Sequence, residues 1–204
     1  MSTKSTAGQF ELSRREIRAM LVTAAKGDIR HHLSGVLVET TGSDLILVST
    51  DGHVMGVCRT GSHLGLASGL RFILPRKFLE SVVLQSGDPI ISMTFSDGVV
   101  TASVGESTVS TRCIEGKFPD WRRVVESAYG TAREPAAFNL ALLARFGAVA
   151  KHLGSIAAIS IEPSGDHASI VQVGHDSYIG FVMPMRNESS KTPPNWMAMP
   201  KAAA

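Results

Sequence analysis

Apolar positions along this chain follow two different periods, and the switch between the periods occurs three times. The stretches FELSRREIRAML, FILPRKFLESVV and FNLALLARFGAV each begin with Phe-x-Leu and continue with apolar residues three to four positions apart. This spacing is typical of a helix that buries one face. It predicts helices over roughly 13–26, 75–85 and 140–153, with Ser13 as the N-cap of the first and Pro75 opening the second.

Three short runs with a two-residue, strand-like period follow each predicted helix. Turn sequences such as TTGSD, TDGH, SDG and PSGD separate the runs, and Asp51-Gly52 is a strong signal for a tight hairpin. The predicted strands cover 35–39, 44–50 and 53–59, then 90–95, 99–104 and 107–114, then 158–162, 169–173 and 178–183. The chain therefore repeats a strand–helix–strand–strand–strand unit three times, which predicts an α+β fold with antiparallel sheets.

The repeat and the local composition together predict how the chain divides into domains. The first two units are joined by a Gly- and Ser-rich connection and are expected to form one complete domain over 9–125. Residues 126–135, ESAYGTAREP, are expected to be a linker, and the third unit, 136–186, is left as half a domain. Residues 1–8 are expected to be disordered and 187–204 to be a flexible tail. Because a single unit cannot bury its own apolar face, we expect the same unit of another chain to cover the third one.

Composition and charge add nothing to the predicted fold, but they exclude several classes of protein. The 204 residues are 44% hydrophobic and 19% charged, with a formal net charge of +2, which is ordinary for a globular protein. No apolar run is long enough for a membrane span and no signal-peptide pattern opens the chain, so we expect no membrane contact and a cytoplasmic location. Cys58 and Cys113 stand far apart and form no CxxC pair, so no metal site and no cofactor are expected.

An enzyme is the first alternative to a binding protein. The sequence contains no nucleophile elbow, no HExxH motif and no phosphate-cradling glycine loop, and Asp51-Gly52-His53 is better explained as a turn than as a catalytic dyad. His31 and His32 are adjacent, and neighbours in an extended segment point in opposite directions, which disfavours shared metal ligation. We therefore expect neither catalysis nor a bound metal.

Several stretches of the chain resemble the bacterial DNA polymerase III beta subunit, the sliding clamp. They are DIRHHLSGVLVE, STDGHVMGV, LPRKFLE, EGKFPDWRRVV and YIGFVMPMR, and the resemblance covers nearly all of 9–186. It implies the DNA clamp fold, in which six such units per chain and two chains close a ring around duplex DNA. Helices line the hole, antiparallel sheets lie outside, and the ring tethers polymerases without catalysing a reaction. Residues 9–125 resemble the family's middle domain, and 136–186 resemble the second half of its last domain.

The chain departs from this family by carrying three units in place of six, so it resembles a shortened clamp. Four chains of three units give the family's total of twelve, which predicts a homotetrameric ring of cyclic or dihedral symmetry, with a dimer as the runner-up. The resemblance implies sequence-independent binding of duplex DNA, a clamp loader, and partners such as DNA polymerase that carry a clamp-binding motif. The second alternative is a clamp-like decoy or inhibitor that binds a host clamp or its partners.

Basic residues on the predicted helices are the candidate DNA contacts. On helical geometry, those of the first helix form a stripe beside its apolar face. A solvated helix face is the plainer explanation of such a stripe, and the resemblance to a clamp favours phosphate binding instead. The candidate set is Arg14, Arg15, Arg18, Lys26, Arg30, His31, His32, Arg76, Lys77, Arg145 and Lys151.

The resemblance also implies a pocket for linear peptides, assembled from four separate stretches with Leu142 of the third helix as its floor. Methionine and proline suit an adaptable apolar groove of this kind, although each stretch taken singly also fits an ordinary turn or strand end. The candidate lining residues are Arg30, Leu33, Thr50, Gly52, His53, Met55, Pro119, Val124, Leu142, Met183, Pro184, Met185 and Arg186.

Overall fold

The computed structural model describes residues 7–132, 134–156 and 158–186. These form two complete strand–helix–three-strand units and a third unit with a helix and three strands, which has only an isolated bridge from Ala137 to Met185 in place of a first strand. The first unit comprises β1 (Gly8–Ser13), α1 (Arg14–Thr23), β2 (Gly35–Thr41), β3 (Asp44–Thr50) and β4 (Val54–Leu64). The second comprises β5 (Arg71–Pro75), α2 (Arg76–Gln85), β6 (Ile90–Ser96), β7 (Val99–Val104) and β8 (Ser107–Arg112). Then follow α3 (Trp121–Gly130), α4 (Leu140–Leu153), β9 (Ser160–Glu162), β10 (Ser169–Gln172) and β11 (Tyr178–Val182).

Helix α1 shows why the predicted helices form where they do. The Ser13 hydroxyl accepts a backbone N–H of the first turn, and the Glu16 carboxylate accepts the N–H of Ser13, which completes a capping box. At the other end, the guanidinium of Arg76 donates to the carbonyls of Leu21 and Ala24 at 2.8 and 3.0 Å. These bonds satisfy carbonyls at the helix end, and α1 stops at Thr23, three residues before the predicted end, where Ala24 is extended.

The first two units are interlocked by an exchange of their first strands. Strand β1 pairs with β6 of the second unit, and β5 pairs with β2 of the first, both antiparallel. The resulting strand orders are β5-β2-β3-β4 and β1-β6-β7-β8, and the end of β4 also pairs with β1. Phe10, Phe72 and Phe95 pack together between these sheets, with ring centroids 5.6 and 4.5 Å apart. The two Phe-x-Leu stretches thus meet in one core.

The third unit is attached to the first unit of the same chain. Strand β11 pairs antiparallel with β4, with Gly180 opposite Gly56, and α4 packs against α1. Helix α1 and strand β4 thus cover one side of the third unit, so the expected cover by another chain is narrowed to the side that they leave open. The close approach requires glycine: a Cβ on Gly180 would lie 2.8 Å from Cδ1 of Phe146 on α4.

Helix α3 was not predicted, and it occupies the first half of the segment expected to be a linker, 126–135. Its N-cap is Asp120, whose carboxylate accepts the N–H of Arg123. The helix packs through Ala128 against the sheet face opposite the one that α1, α2 and α4 cover. The segment expected to be disordered, 1–8, is also corrected at its last residue, because Gly8 is the first residue of β1. The expected tail, 187–204, lies outside the described residues.

The described residues therefore form three layers. Helices α1, α2 and α4 lie on one side of the sheets, with α1 in contact with both of the others, and α3 lies on the opposite side. None of the helices in the described ranges is long and apolar enough to cross a lipid bilayer.

Candidate functional site

The layer of α1, α2 and α4 carries several cations that are not used in ion pairs or hydrogen bonds to the described protein. Arg15 on α1, Lys77 on α2 and Lys151 on α4 are exposed, and Arg18 on α1 is half-buried; Lys26, predicted to lie on the first helix, is exposed in the loop beyond the end of α1. Arg18 and Lys151 lie close enough to His152 that their charges, added to the effect of burial, lower the pKa of that imidazole. His152 is therefore neutral near pH 7, and the positive charge of this surface comes from lysine and arginine.

Three arginines of the predicted DNA-contact set bind backbone carbonyls within the protein. Arg14 donates to the carbonyl of Val83 at 2.8 and 3.1 Å, which ties α1 to the end of α2. Arg76 binds the end of α1 as described above, and Arg145 donates to the carbonyl of Val22 at 2.6 and 3.1 Å, which ties α4 to α1. These guanidinium groups hold neighbouring helices together, so we no longer count Arg14, Arg76 and Arg145 among the free phosphate contacts.

Arg30 and the two histidines lie beyond the end of α1, in the connection to β2. Arg30 pairs with Asp28 at 2.7 Å and donates to the carbonyl of Asp51 at 3.1 Å. Hydrogen bonds from the side chain and backbone of Arg30 lower the pKa of Asp28 to about 2. His31 and His32 form a short 3-10 turn with Leu33, and His31 is exposed while His32 packs beside Gly116. Arg30 thus faces both the helix layer and the pocket described next.

An apolar pocket of about 160 Å³ lies where the first unit, α3 and the end of the third unit meet. Nine of the predicted peptide-binding residues line it: Arg30, Leu33, Thr50, Gly52, His53, Met55, Pro119, Val124 and Met183. Five further residues that were not predicted also line the pocket, namely Val54, Phe118, Trp121, Ala168 and Phe181. Phe118 and Trp121 belong to the FPDW stretch that supplied Pro119, so the signal was present although only the proline was chosen.

Four residues predicted for the pocket do not line it. Leu142 lies on α4, on the other side of the sheet, and packs beside the helix-side core. The N–H of Met183 donates to the carbonyl of His53 at 2.8 Å, which keeps Met183 at the pocket, and the N–H of Met185 donates to the carbonyl of Ala137 at 2.8 Å, which directs the chain end toward the start of the third unit. Pro184, Met185 and Arg186 therefore lie beyond its rim, and the predicted pocket is corrected by removing these four residues.

A buried carboxylate fixes the α3 wall of the pocket. Glu39 on β2 is 7% exposed, and it accepts hydrogen bonds from Arg122 at 2.6 and 3.0 Å and from the indole of Trp121 at 3.4 Å. Burial alone would raise the pKa of Glu39, but the bonds from Arg122 and Trp121 and the charges of Arg122 and Arg71 lower it overall. The guanidinium of Arg122 also lies 4.2 Å over the Trp121 ring. These contacts hold Trp121 at the pocket.

A second carboxylate fixes the hairpin turn at the pocket's other wall. One oxygen of Asp51 accepts the N–H groups of His53 and Val54 at 2.9 and 3.0 Å, and the other pairs with Arg145 of α4. Burial raises the pKa of Asp51, but the bonds from Arg145, Val54 and His53 outweigh it, so the pKa lies below its ordinary value. The turn that carries Gly52 and His53 is thereby attached to the helix layer.

Replacing Asp51 with asparagine is expected to lower the free energy of unfolding by about 2 kcal/mol at pH 7, because it removes a charged hydrogen bond to a half-buried arginine. The folded pKa of Asp51 is lowered, so its contribution is present above the unfolded pKa of about 3.9 and is lost as the pH falls through the folded value. Urea unfolding should therefore show a constant gap between the two proteins from about pH 5 to 8 and a closing gap below about pH 4.

The control for this experiment is Asp44→Asn. Asp44 pairs with Arg59 at 3.8 Å with both side chains largely exposed, so its loss should change stability by less than about 1 kcal/mol. A stability gap for Asp51→Asn that is unchanged down to pH 2 would contradict the role assigned to its charge.

Comparison with known proteins identifies the class to which this geometry belongs. A family profile described as DNA polymerase III beta subunit, central domain, matches residues 9–120. The beta sliding clamp of Escherichia coli K12 is 34% identical over 114 residues, which are 55% of this chain and 31% of that protein. The beta sliding clamp of Pseudomonas putida is 32% identical over 114 residues, which are again 55% of this chain and 31% of that protein. The chain thus spans about a third of the length of these curated relatives.

Solved clamp structures share the fold well beyond the profile match. The DNA polymerase III beta subunit of Pseudomonas aeruginosa superposes with a TM-score of 0.69 at 19% identity, over 88% of this chain and 66% of that one. The Thermotoga maritima protein gives 0.67 at 17% identity, with the same shares covered. The fold is that of the DNA clamps, with the predicted repeated unit confirmed. The chain belongs to the DNA polymerase III beta subunit family, through that family's central domain.

Proposed function

We propose that this protein is a DNA sliding clamp that encircles duplex DNA as a homo-oligomeric ring and tethers partners through the apolar pocket, without catalysing a reaction. The observation that carries the proposal is the row of helices α2, α1 and α4. In this row the second, first and third units place their helices side by side on one side of the sheets. The exposed cations Arg15, Lys77 and Lys151 belong to this row, and Lys26 follows the end of α1. Contacts from such a surface reach phosphates and carry no sequence information.

An incompletely covered apolar side on the third unit supports oligomerisation. Four of its apolar residues, which pack beside the helix-side core, are only partly buried, and Leu140 and Ile156 are 79% and 86% exposed. The four are Phe138, Leu142, Leu143 and Ile159. In the complete domain, the equivalent side of each unit is covered by the other unit. A third unit from a second chain would supply this cover, and four chains of three units would give a twelve-unit ring.

The experiment that tests the ring combines solution mass with retention on DNA. Light scattering after size exclusion should give the mass of four chains, with two chains as the runner-up. Protein loaded on nicked circular DNA by a clamp loader should stay bound through gel filtration at about 0.15 M salt, and it should leave when a restriction enzyme linearises the circle. Equal retention on circular and linear DNA would contradict encirclement.

The pocket is proposed to bind the clamp-binding segment of a replicative DNA polymerase. Its lining is mostly apolar, with Met55 and Met183 on two sides and Arg30 at its edge. Val124→Arg introduces a long charged side chain into the pocket and is expected to weaken binding of a fluorescent peptide of this segment by at least about tenfold. Glu126→Arg, on an exposed position of the same helix, is the control and should change the affinity little.

A decoy that captures clamp partners is the second candidate, and one observation favours it. The first unit, α3 and the end of the third unit of a single chain form the pocket, so a monomer can present it. A solution mass of one chain, together with unimpaired peptide binding, would support the decoy and reject the ring.

A further inference from the structure

Strand β8 ends one of the two strand orders, and the outer edge of Ser107–Arg112 has no partner strand among the described residues; beyond it, the N–H of Ile114 donates to Ile73 of β5 at 2.9 Å. Its sequence, STVSTR, is uncharged except for Arg112, and it contains no lysine, proline or acidic residue of the kind that protects sheet edges. Ser107, Thr108 and Ser110 are exposed. The edge is therefore open to pairing with another strand.

The register with β7 shows which groups this edge presents. The N–H of Cys113 donates to Gly98 at 2.8 Å, and the ladder continues with Thr111 opposite Val100 and Val109 opposite Ala102. Antiparallel pairs alternate between bonded and non-bonded positions, so every second residue of β8 directs its N–H and C=O away from β7. The outward-directed residues are Thr108, Ser110 and Arg112.

The same chain shows how such an edge is filled. Strands β4 and β11 are each the last strand of their unit, and they pair antiparallel with each other over Val54 to Cys58. Strand β8 is the last strand of the second unit. Where two units meet in this chain without exchanging first strands, the contact is thus last strand to last strand.

Helix α2, which lies beside β8, has an exposed apolar residue at the position that α4 covers on α1. Val22 is the ninth residue of α1, it is partly buried, and its carbonyl accepts the bonds from Arg145 of α4. Leu84 is the ninth residue of α2, and it is 81% exposed. The helix of a unit docked on β8 would cover Leu84 as α4 covers Val22.

We propose that β8 pairs antiparallel with β8 of a second copy of this chain, and the proposal rests on the proposed homo-oligomeric clamp. A second copy suits the edge because antiparallel self-pairing brings Arg112 of one strand toward Glu106, before the start of the other, so the charges at the two ends are complementary. The contact is isologous, with a two-fold axis through the strand pair. Combined with a second two-fold contact between third units, it closes four chains into a ring of dihedral symmetry.

The test compares the solution mass of the full chain with those of the Ser110→Pro and Ser110→Ala variants. Proline removes an outward N–H in the middle of the edge and leaves the bonds to β7 in place. Alanine keeps that N–H and removes only the hydroxyl, which contacts Thr101 at 2.8 Å. We expect the proline variant to have half the mass of the wild-type protein and the alanine variant to keep the wild-type mass.

The possible results distinguish a failure of the proposed β8 pairing from a failure of the proposed tetrameric ring. A proline variant with the wild-type mass, or a monomeric wild-type protein, overturns β8 pairing. A wild-type dimer that proline converts to a monomer supports β8 pairing and rejects the tetrameric ring.

Hydrogen exchange of the wild-type protein gives a second test that needs no variant. The N–H groups of Thr108 and Ser110 should be protected in the oligomer and lose protection on dilution, whereas equally fast exchange at all concentrations overturns the proposal.

Discussion

Replacing Gly180 with valine is expected to detach the third unit from the first and to abolish the peptide pocket. Gly180 lies opposite Gly56 in the β4–β11 pair, and its Cβ would lie 2.8 Å from Cδ1 of Phe146 and closer still to Cε1. Phe146 is fully buried between α4 and the sheet, so it has no space into which to move. Overpacking of this kind costs about 3 kcal/mol, and a displaced β11 removes Phe181 and Met183 from the pocket.

The measurements are urea unfolding and anisotropy of a labelled polymerase peptide. We expect unfolding at lower urea and no detectable peptide binding. Gly147→Ala is the matched control, because Gly147 lies on α4 with no atom near an added Cβ. Alanine there should raise the free energy of unfolding by about 0.5–1 kcal/mol and leave peptide binding intact. Wild-type peptide affinity in Gly180→Val would show that the pocket does not depend on this junction.

Replacing Arg15, Arg18 and Lys151 together with glutamine is expected to remove most retention on circular DNA at moderate salt. These side chains lie on the helix layer, and the shift of the His152 pKa shows that the charges of Arg18 and Lys151 act on one region. Each phosphate contact contributes about 0.9 to the slope of log affinity against log salt. The triple variant should therefore bind duplex at least about tenfold more weakly near 0.1 M salt and show a flatter slope.

The matched control removes the same charge from residues outside helices α1, α2 and α4. Arg59, Lys117 and Arg123 are exposed, and α3, which carries Arg123, lies on the other side of the sheet. Their triple glutamine variant has the same net charge as the first variant. Filter binding across a salt series compares the two, and an equal loss of affinity in both would show that overall charge, and not the helix layer, governs DNA binding.

The repeating unit was predictable because each of its elements has a strong local signal. The capping box at Ser13 begins α1 as expected, and α4 has the bounds that its apolar spacing predicted. The hairpin at Asp51-Gly52 also forms, with the Asp51 side chain accepting two N–H groups of the turn. These features depend on residues within a few positions of one another, so sequence alone contains them.

Helix α3, and with it one wall of the pocket, depends on contacts between distant residues, and sequence alone does not contain those. The segment from Trp121 to Gly130 is helical because its apolar face reaches the outer side of the sheet and Arg122 reaches Glu39, 83 positions earlier. A helical projection likewise places Arg145 among the basic residues, but it does not show that Val22 and Asp51 lie within reach of its guanidinium. Long side chains are assigned roles reliably only when their partners are known.

The exchange of first strands between the first two units has a consequence for how the domain is assembled. Each unit lacks one strand of its own sheet and receives it from the other, through β1·β6 and β5·β2. Neither half can complete its hydrogen-bond ladder alone, so folding must close contacts between residues as distant as Gly8 and Phe95 before either half is stable. A protease cut in the connection between β4 and β5 would leave two fragments that stay associated, and the separated fragments would regain structure only by complementing each other.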